Sequence, residues 1–282
     1  MRSILSTIGT LLLSALAAHA LAQTTQTKAQ QHLGFDRNLY PGDATLPALR
    51  KNFAFTGYWL NNPPGETTNS WQGKRDVLLR NRFGFLVLFN GRLDAEIQRA
   101  SRRGTTPAAL GRQDAATAIA SAQREHFPEA TIVFLDQEEG GRLLPEQSAY
   151  LFAWTEALAA SSYRPGVYLS GQAVPDSPGK TITTAQDVHE QIAAKHLHPV
   201  AFFVYQDACP PSNGCSAAPP PISTLSADDI AVWQYAQSPR RPEITRACAK
   251  TYAADNNCYA PGVPGVFLDR SVATSDDPSR GR

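Results

Sequence analysis

Asp136 and Glu138 are the residues whose type and spacing most directly suggest chemistry. They close the stretch Ile132-Val133-Phe134-Leu135-Asp136-Gln137-Glu138-Glu139-Gly140-Gly141. Its unbroken apolar run reads as a strand buried on both faces, as in a parallel sheet. Side chains two residues apart in a strand point to the same side, so both carboxylates share one face at the strand's C-terminal end. Active sites of α/β barrels and open α/β sheets lie at that end. Two carboxylates held close acquire different pKa values, which suits acid/base work. The plainer reading of the same residues is a strand end with a solvated acidic turn.

Other acids stand in comparable places. Asp36 ends the run Leu33-Gly34-Phe35, Asp269 ends Val263 to Leu268, and Asp207 closely follows Val200 to Tyr205. If these strands are parallel and barrelled, their ends converge on one mouth. Aromatic and amide groups accompany them: Tyr58, Trp59, Tyr168, Tyr205, Trp233, Gln234 and Tyr235. Rings stack on the apolar faces of sugars, and carboxylates and amides bond hydroxyls, so such a mouth suits a carbohydrate. The plainer roles are core packing for each aromatic and an Asx-turn for Asp36 or Asp269. Glycoside cleavage needs a proton donor at the leaving oxygen and a second group that stabilises or attacks the anomeric carbon. Glu138 is the candidate donor. Asp136 and Asp36 supply negative charge or orient the substrate, and Glu139 faces away. Candidate substrate contacts are Tyr58, Tyr168, Tyr205, Asp207, Trp233, Gln234 and Asp269.

Other chemistries lack their signatures. There is no Gly-rich phosphate loop after a strand, no H-E-x-x-H helix, and no nucleophile elbow around Ser170-Gly171. No cofactor or metal is expected. Arg92, Arg99, Arg102, Arg103 and Arg112 read as a solvated basic connection, though they could meet an anionic glycan.

These residues require elements to position them. Eight strands are expected: Leu33–Asp36, Phe53–Leu60, Phe83–Phe89, Ile132–Asp136, Pro165–Ser170, Val200–Tyr205, Ala231–Tyr235 and Val263–Asp269. Helical patterns at Leu46–Lys51, Lys74–Asn81, Gly111–His126, Glu146–Ala160 and Thr183–His196 lie between several of them. Repeated strand–helix units imply right-handed parallel crossovers. The expected fold class is α/β, a single (β/α)8 TIM-like barrel over residues 32–270 with an irregular, stapled seventh connection. Residues 271–282 are expected to form a disordered tail.

The 282-residue chain opens with the pattern of a secretory signal over residues 1–22, followed by a polar lead-in over 23–31. Secretion or export to the periplasm is therefore expected. Four cysteines fit an oxidising compartment. They form two local clusters, Cys209 with Cys215 and Cys248 with Cys258. Three pairings are possible; local pairing is the simplest, because each pair closes a loop rich in Pro, Gly or Asn. A zinc site is the alternative, without a histidine close to either pair. A formal net charge of +1 gives no argument for nucleic acid or a membrane surface. A glycan substrate is the expected partner, with no nucleic acid, no membrane after signal cleavage, and a monomeric chain.

Gly34-Phe35-Asp36, Phe55 to Tyr58, Phe134-Leu135-Asp136-Gln137-Glu138, Pro165-Gly166-Val167-Tyr168, Val232-Trp233-Gln234-Tyr235 and Val266-Phe267-Leu268-Asp269 occur in this order. The set resembles a glycoside-hydrolase-like domain family described as of unknown function. Beyond that it is similar to the family 25 glycoside hydrolases, the N-acetylmuramidases that cut peptidoglycan. The resemblance runs from Gly34 to Asp269. It implies a β/α barrel, a first-strand acid at Asp36, an acid pair at Asp136 and Glu138 with Glu138 in the proton-donor position, and a late acid at Asp207. The function expected is a secreted glycoside hydrolase acting on peptidoglycan or a related envelope glycan. The alternative is a non-catalytic carbohydrate- or envelope-binding barrel.

Overall fold

The buried apolar runs close into a barrel. The computed structural model describes residues 30–225 and 230–282. The expected signal segment and nearly all of the lead-in lie outside those residues. The barrel strands are β1 (His32–Asp36), β2 (Phe55–Trp59), β3 (Gly84–Asn90), β4 (Ile132–Asp136), β5 (Arg164–Ser170), β8 (Ala201–Tyr205), β9 (Ile230–Ala236) and β10 (Asp269–Ala273). A small hairpin, β6 (Val174–Ser177) with β7 (Lys180–Ile182), interrupts the series after β5. The spatial order is β1-β10-β9-β8-β5-β4-β3-β2, closed on itself.

Helices α2 (Arg75–Arg80), α3 (Asp94–Arg102), α4 (Pro107–Arg124), α5 (Pro145–Ala159) and α6 (Thr184–Lys195), with the single turn α1 (Leu46–Leu49), lie in the connections between successive barrel strands from β1 to β8. Helix α4 begins where Thr106 accepts from the Ala109 amide and Pro107 occupies the first turn. Helix α6 begins with a reciprocal cap between Thr183 and Gln186. The arginine-rich stretch after β3, expected to be a surface loop, contains α3; its hydrophobic anchor is Ile97. Arg92 is also not free, since its guanidinium makes a two-pronged bond to buried Asp114 at 2.8 and 2.9 Å.

The barrel expectation holds, with a correction at its last strand. Val263 to Leu268 is mostly loop, and β10 starts at Asp269. This strand runs antiparallel to both neighbours, β1 and β9, whereas the other barrel pairs are parallel. Asp269 therefore begins an antiparallel strand instead of ending a parallel one. Both arrangements bring it to the same mouth, and Asp269 lies directly opposite Asp36 in the ladder.

That reversal also explains a second correction. The disulfides are Cys209–Cys248 and Cys215–Cys258, not the local pairs, with Cα separations of 5.9 and 5.4 Å. The β8–β9 and β9–β10 connections both start at the mouth, so they lie side by side. The bridges tie one connection to the other.

The tail is a third correction. Residues 271–273 belong to β10, and the chain then packs at the opposite end of the barrel. Ser279 accepts from the Val87 amide at 2.8 Å and donates its own amide to the Phe85 carbonyl at 2.9 Å. Its carbonyl accepts from the Ile132 amide at 2.8 Å. These bonds satisfy backbone groups of β3 and β4 that the barrel leaves unpaired. The lower interior is filled by rings, and Gly166 makes room for one: a Cβ there would lie 2.5 Å from the Phe134 ring.

Candidate active site

Strand alternation decides what enters the mouth. On β9, Gln234 points inward and Trp233 outward, where the latter packs 6.2 Å from Tyr235 and donates to the Gln206 carbonyl at 2.9 Å. Asp36 on β1, Asp136 at the end of β4, Tyr168 on β5 and Asp269 at the start of β10 also point inward. Glu138 lies two residues beyond β4 on the Asp136 side. All six line one cavity of about 120 Å³, together with Trp59, Asn38 and Gln237. Asp36 lies so close to β2 that only glycine fits at position 57: a Cβ there would be 2.6 Å from the Asp36 Cβ.

A connected set of bonds organises the floor. Gln234 Nε2 donates to both oxygens of Asp36, at 3.1 and 3.2 Å. Gln234 Oε1 accepts from the Tyr168 hydroxyl at 2.7 Å and from Gln237 Nε2 at 2.9 Å. The amide is thus held in one orientation, with its donor turned to the acid. Asp269 Oδ1 accepts from the Ser238 amide at 2.6 Å. Asp136 Oδ1 is buried and has no hydrogen-bond partner.

Four carboxyls in so small a space cannot all ionise easily. Burial, opposed by the Gln234 bond and reinforced by Glu138, pushes Asp36 up to about 7. Burial pushes Asp136 well above the ordinary carboxylate range, and the charges of Glu138 and Asp36 add to it. Asp269 is raised well above that range by burial and then by Asp36. Glu138 sits at the exposed rim, yet desolvation of its carboxyl raises it, with the Arg241 guanidinium acting in the opposite direction. The Tyr168 phenol is pushed up by burial and by Asp136 and Asp36. The mouth therefore retains carboxyl protons at a pH where isolated carboxyls have none, which supplies the elements of proton transfer: acids of raised pKa beside a carboxylate stabilised by an amide.

Several expected contacts lie elsewhere. Tyr58 points away from the barrel interior, packs on Phe127 at 5.1 Å and donates to the buried Glu125. Trp233 is in the outer layer. Tyr205 faces inward but is covered, its ring 5.3 Å from Tyr168 and its hydroxyl donating to the Glu138 carbonyl at 2.8 Å. Asp207 is fully buried and clamped by Arg241. None of these four lines the cavity. Glu139 turns to the far side and accepts from the Asp94 amide at 2.9 Å, at the start of α3. Trp59, Asn38 and Gln237 line the mouth without having been singled out as contacts. Trp59 shares the inward parity of Gly57, but β2 is buried on both faces, so its hydrophobicity carries no alternation.

Comparison with known proteins agrees with the fold. Residues 71–207 match the family model of the Rv2525c-like, glycoside hydrolase-like domain, which bears out the resemblance to a glycoside-hydrolase-like family. The matched span contains Asp136 and Glu138 and ends before Gln234 and Asp269. An uncharacterized B. stearothermophilus protein of known structure is 18% identical, with 86% of this chain and 95% of that one covered and a TM-score of 0.52. The Mycobacterium tuberculosis Tat-secreted protein Rv2525c, in complex with HEPES, is 12% identical, with 89% and 97% covered and a TM-score of 0.50. These likenesses show a shared barrel fold. The modular autolysin LytC from Streptococcus pneumoniae follows at 11% identity, 86% and 46% coverage and a TM-score of 0.48. No curated protein matches the sequence.

Proposed function

We propose that the chain is a glycoside hydrolase acting outside the cytosol on peptidoglycan or a related cell-envelope glycan. The observation that carries this reading is the convergence of Asp36, Asp136, Glu138 and Asp269 on one cavity beside Trp59 and Tyr168. Glu138 is the proton donor, because it is the acid at the rim where a leaving oxygen can reach it and its carboxyl is raised by desolvation. Asp36 carries the opposing charge. Two amide hydrogen bonds from Gln234 favour its ionised form against the cost of burial. Asp136 orients the sugar: its buried, unpartnered Oδ1 is a site that a substrate hydroxyl or amide would satisfy. Trp59 offers an aromatic surface at the mouth. Asp269, opposite Asp36 in the ladder and raised by burial, adds a second polar group on the same wall of the cavity.

The two disulfides support an oxidising compartment, in keeping with the signal-like N-terminal sequence. Among the described residues no helix is long and apolar enough to cross a membrane. The test is digestion of purified peptidoglycan and a panel of soluble glycans, with chromatographic and mass analysis of the products. New reducing ends from one of them are expected. Retention of a glycan on the protein without any new reducing end would instead support the binding-barrel alternative.

A further inference from the structure

Asp207 follows β8 by two residues and resembles a late active-site acid in sequence, yet it does not line the cavity. Its carboxylate is fully buried. Arg241 grips it with two prongs: Nη2 on Oδ1, and Nε on Oδ2 at 3.2 Å. Gln172 Nε2 donates to Oδ1 at 3.1 Å. Both Asp207 oxygens are thus held by protein donors. Arg241 is about two-thirds withdrawn from solvent, and its guanidinium lies over the Tyr205 ring, 5.1 Å from the centroid. The Tyr205 hydroxyl in turn donates to the Glu138 carbonyl at 2.8 Å. The backbone around Arg241 is fixed as well. Its carbonyl accepts from the Thr245 amide at 3.0 Å and hydroxyl at 2.7 Å, and the next turn bonds back to Cys209, one end of a disulfide.

We infer that Asp207 is the buried anchor of Arg241, and that Arg241, seated on Tyr205, is a positioning residue that holds a positive charge facing Glu138. The inference rests on the reading of Glu138 as the proton donor. The groups facing Glu138 divide unequally. Asp36, Asp136 and Asp269 are acids, Tyr168 and Tyr205 are phenols, and Arg241 is the cation acting on it. Desolvation favours the protonated form of Glu138, and a donor that must also release its proton needs a counterweight to that effect. Arg241 supplies that counterweight. A bidentate clamp suits the task, because it fixes the guanidinium plane as well as the charge. Burial of Asp207 keeps the clamp dry and so strengthens it.

The test is a carboxyl ¹³C NMR titration of the full chain without substrate, with the Glu138 signal assigned by its loss in Glu138→Gln. Arg241→Gln should move the Glu138 midpoint to higher pH. Arg246→Gln, which removes an exposed arginine from the same loop, should not. Because Arg241→Gln leaves Asp207 buried without its partner, the double variant Arg241→Gln with Asp207→Asn is measured as well and should show the same upward move. An unchanged midpoint in the folded Arg241 variants, or an equal move in Arg246→Gln, would overturn the inference. No glycan enters the measurement. A protein that cleaves nothing but shows the shift would thus sink the glycosidase reading and leave the role of Arg241 standing.

Discussion

Replacing Asp36 by asparagine should make the protein more stable at alkaline pH while removing its activity. Asp36 is buried and raised to about 7, against about 3.9 for a carboxyl in an unfolded chain. A group whose folded pKa is raised binds more protons in the native state than in the unfolded chain between those values. Its destabilising effect is absent below about pH 4, grows as pH rises, and is complete above about 7. A gap of about 3 pH units corresponds to about 4 kcal/mol. Asparagine keeps the shape and an acceptor for Gln234 Nε2, but its own amide needs an acceptor, so the net gain is about 2–4 kcal/mol at pH 8. For a chain of this size that raises the melting temperature by roughly 4–16 °C. Removing this charge also eases ionisation of Asp136 and Asp269, both of which are raised by it. The assay is thermal unfolding of both proteins at pH 4 and pH 8, beside a glycan-cleavage assay. A gain confined to the higher pH, with lost turnover, fits the stability that active sites give up for function. Equal effects at both pH values, or destabilisation at pH 8, would refute the electrostatic reasoning.

Gly57→Ala forces a methyl against Asp36 and should cost about 1–3 kcal/mol, with a larger loss of turnover than of stability; wild-type activity in a soluble variant would contradict the tight β1–β2 contact. Tyr58→Phe leaves buried Glu125 short of a donor and should lower stability by about 1–3 kcal/mol in urea melts, with glycan affinity unchanged. An affinity loss there would return Tyr58 to the site. Each disulfide spans about forty residues of chain (separations 39 and 43), so reducing either should cost about 4 kcal/mol by the chain-entropy relation; a loss below about 1 kcal/mol would show that the stapled connections are held by other contacts.

Much of the site could be read from the chain because parity in strands is strict. Asp136 and Glu138 fall on one side, and Gln234 and Trp233 on opposite sides, whatever surrounds them. Parity failed at β2, where Phe55 to Trp59 is buried on both faces; Tyr58 and Trp59 then look alike, and the inward one was not the one chosen. The sequence places the last strand too early because Val263 to Leu268 is the more apolar segment, while Asp269–Ala273 is short and carries two charges and a hydroxyl. Its pairing between β1 and β9 outweighs that composition, consistent with β propensity depending on context. Asp269 reached the mouth nonetheless, by a strand of the opposite direction. The cysteine pairing depended on which loops become neighbours, and that is set by the same reversal. Asp207 has the sequence position of a site acid, but its fate was decided by Arg241, thirty-four residues away.

The most direct measurement is the rate of reducing-end release from purified peptidoglycan by the wild type and by Glu138→Gln, compared at equal concentration with folding of both checked by circular dichroism. The amide is nearly isosteric with the acid but cannot protonate a leaving oxygen. The account predicts measurable release by the wild type and a fall of about 10²–10⁴-fold or more in the variant. Equal rates in the two proteins would contradict the assignment of Glu138 as proton donor.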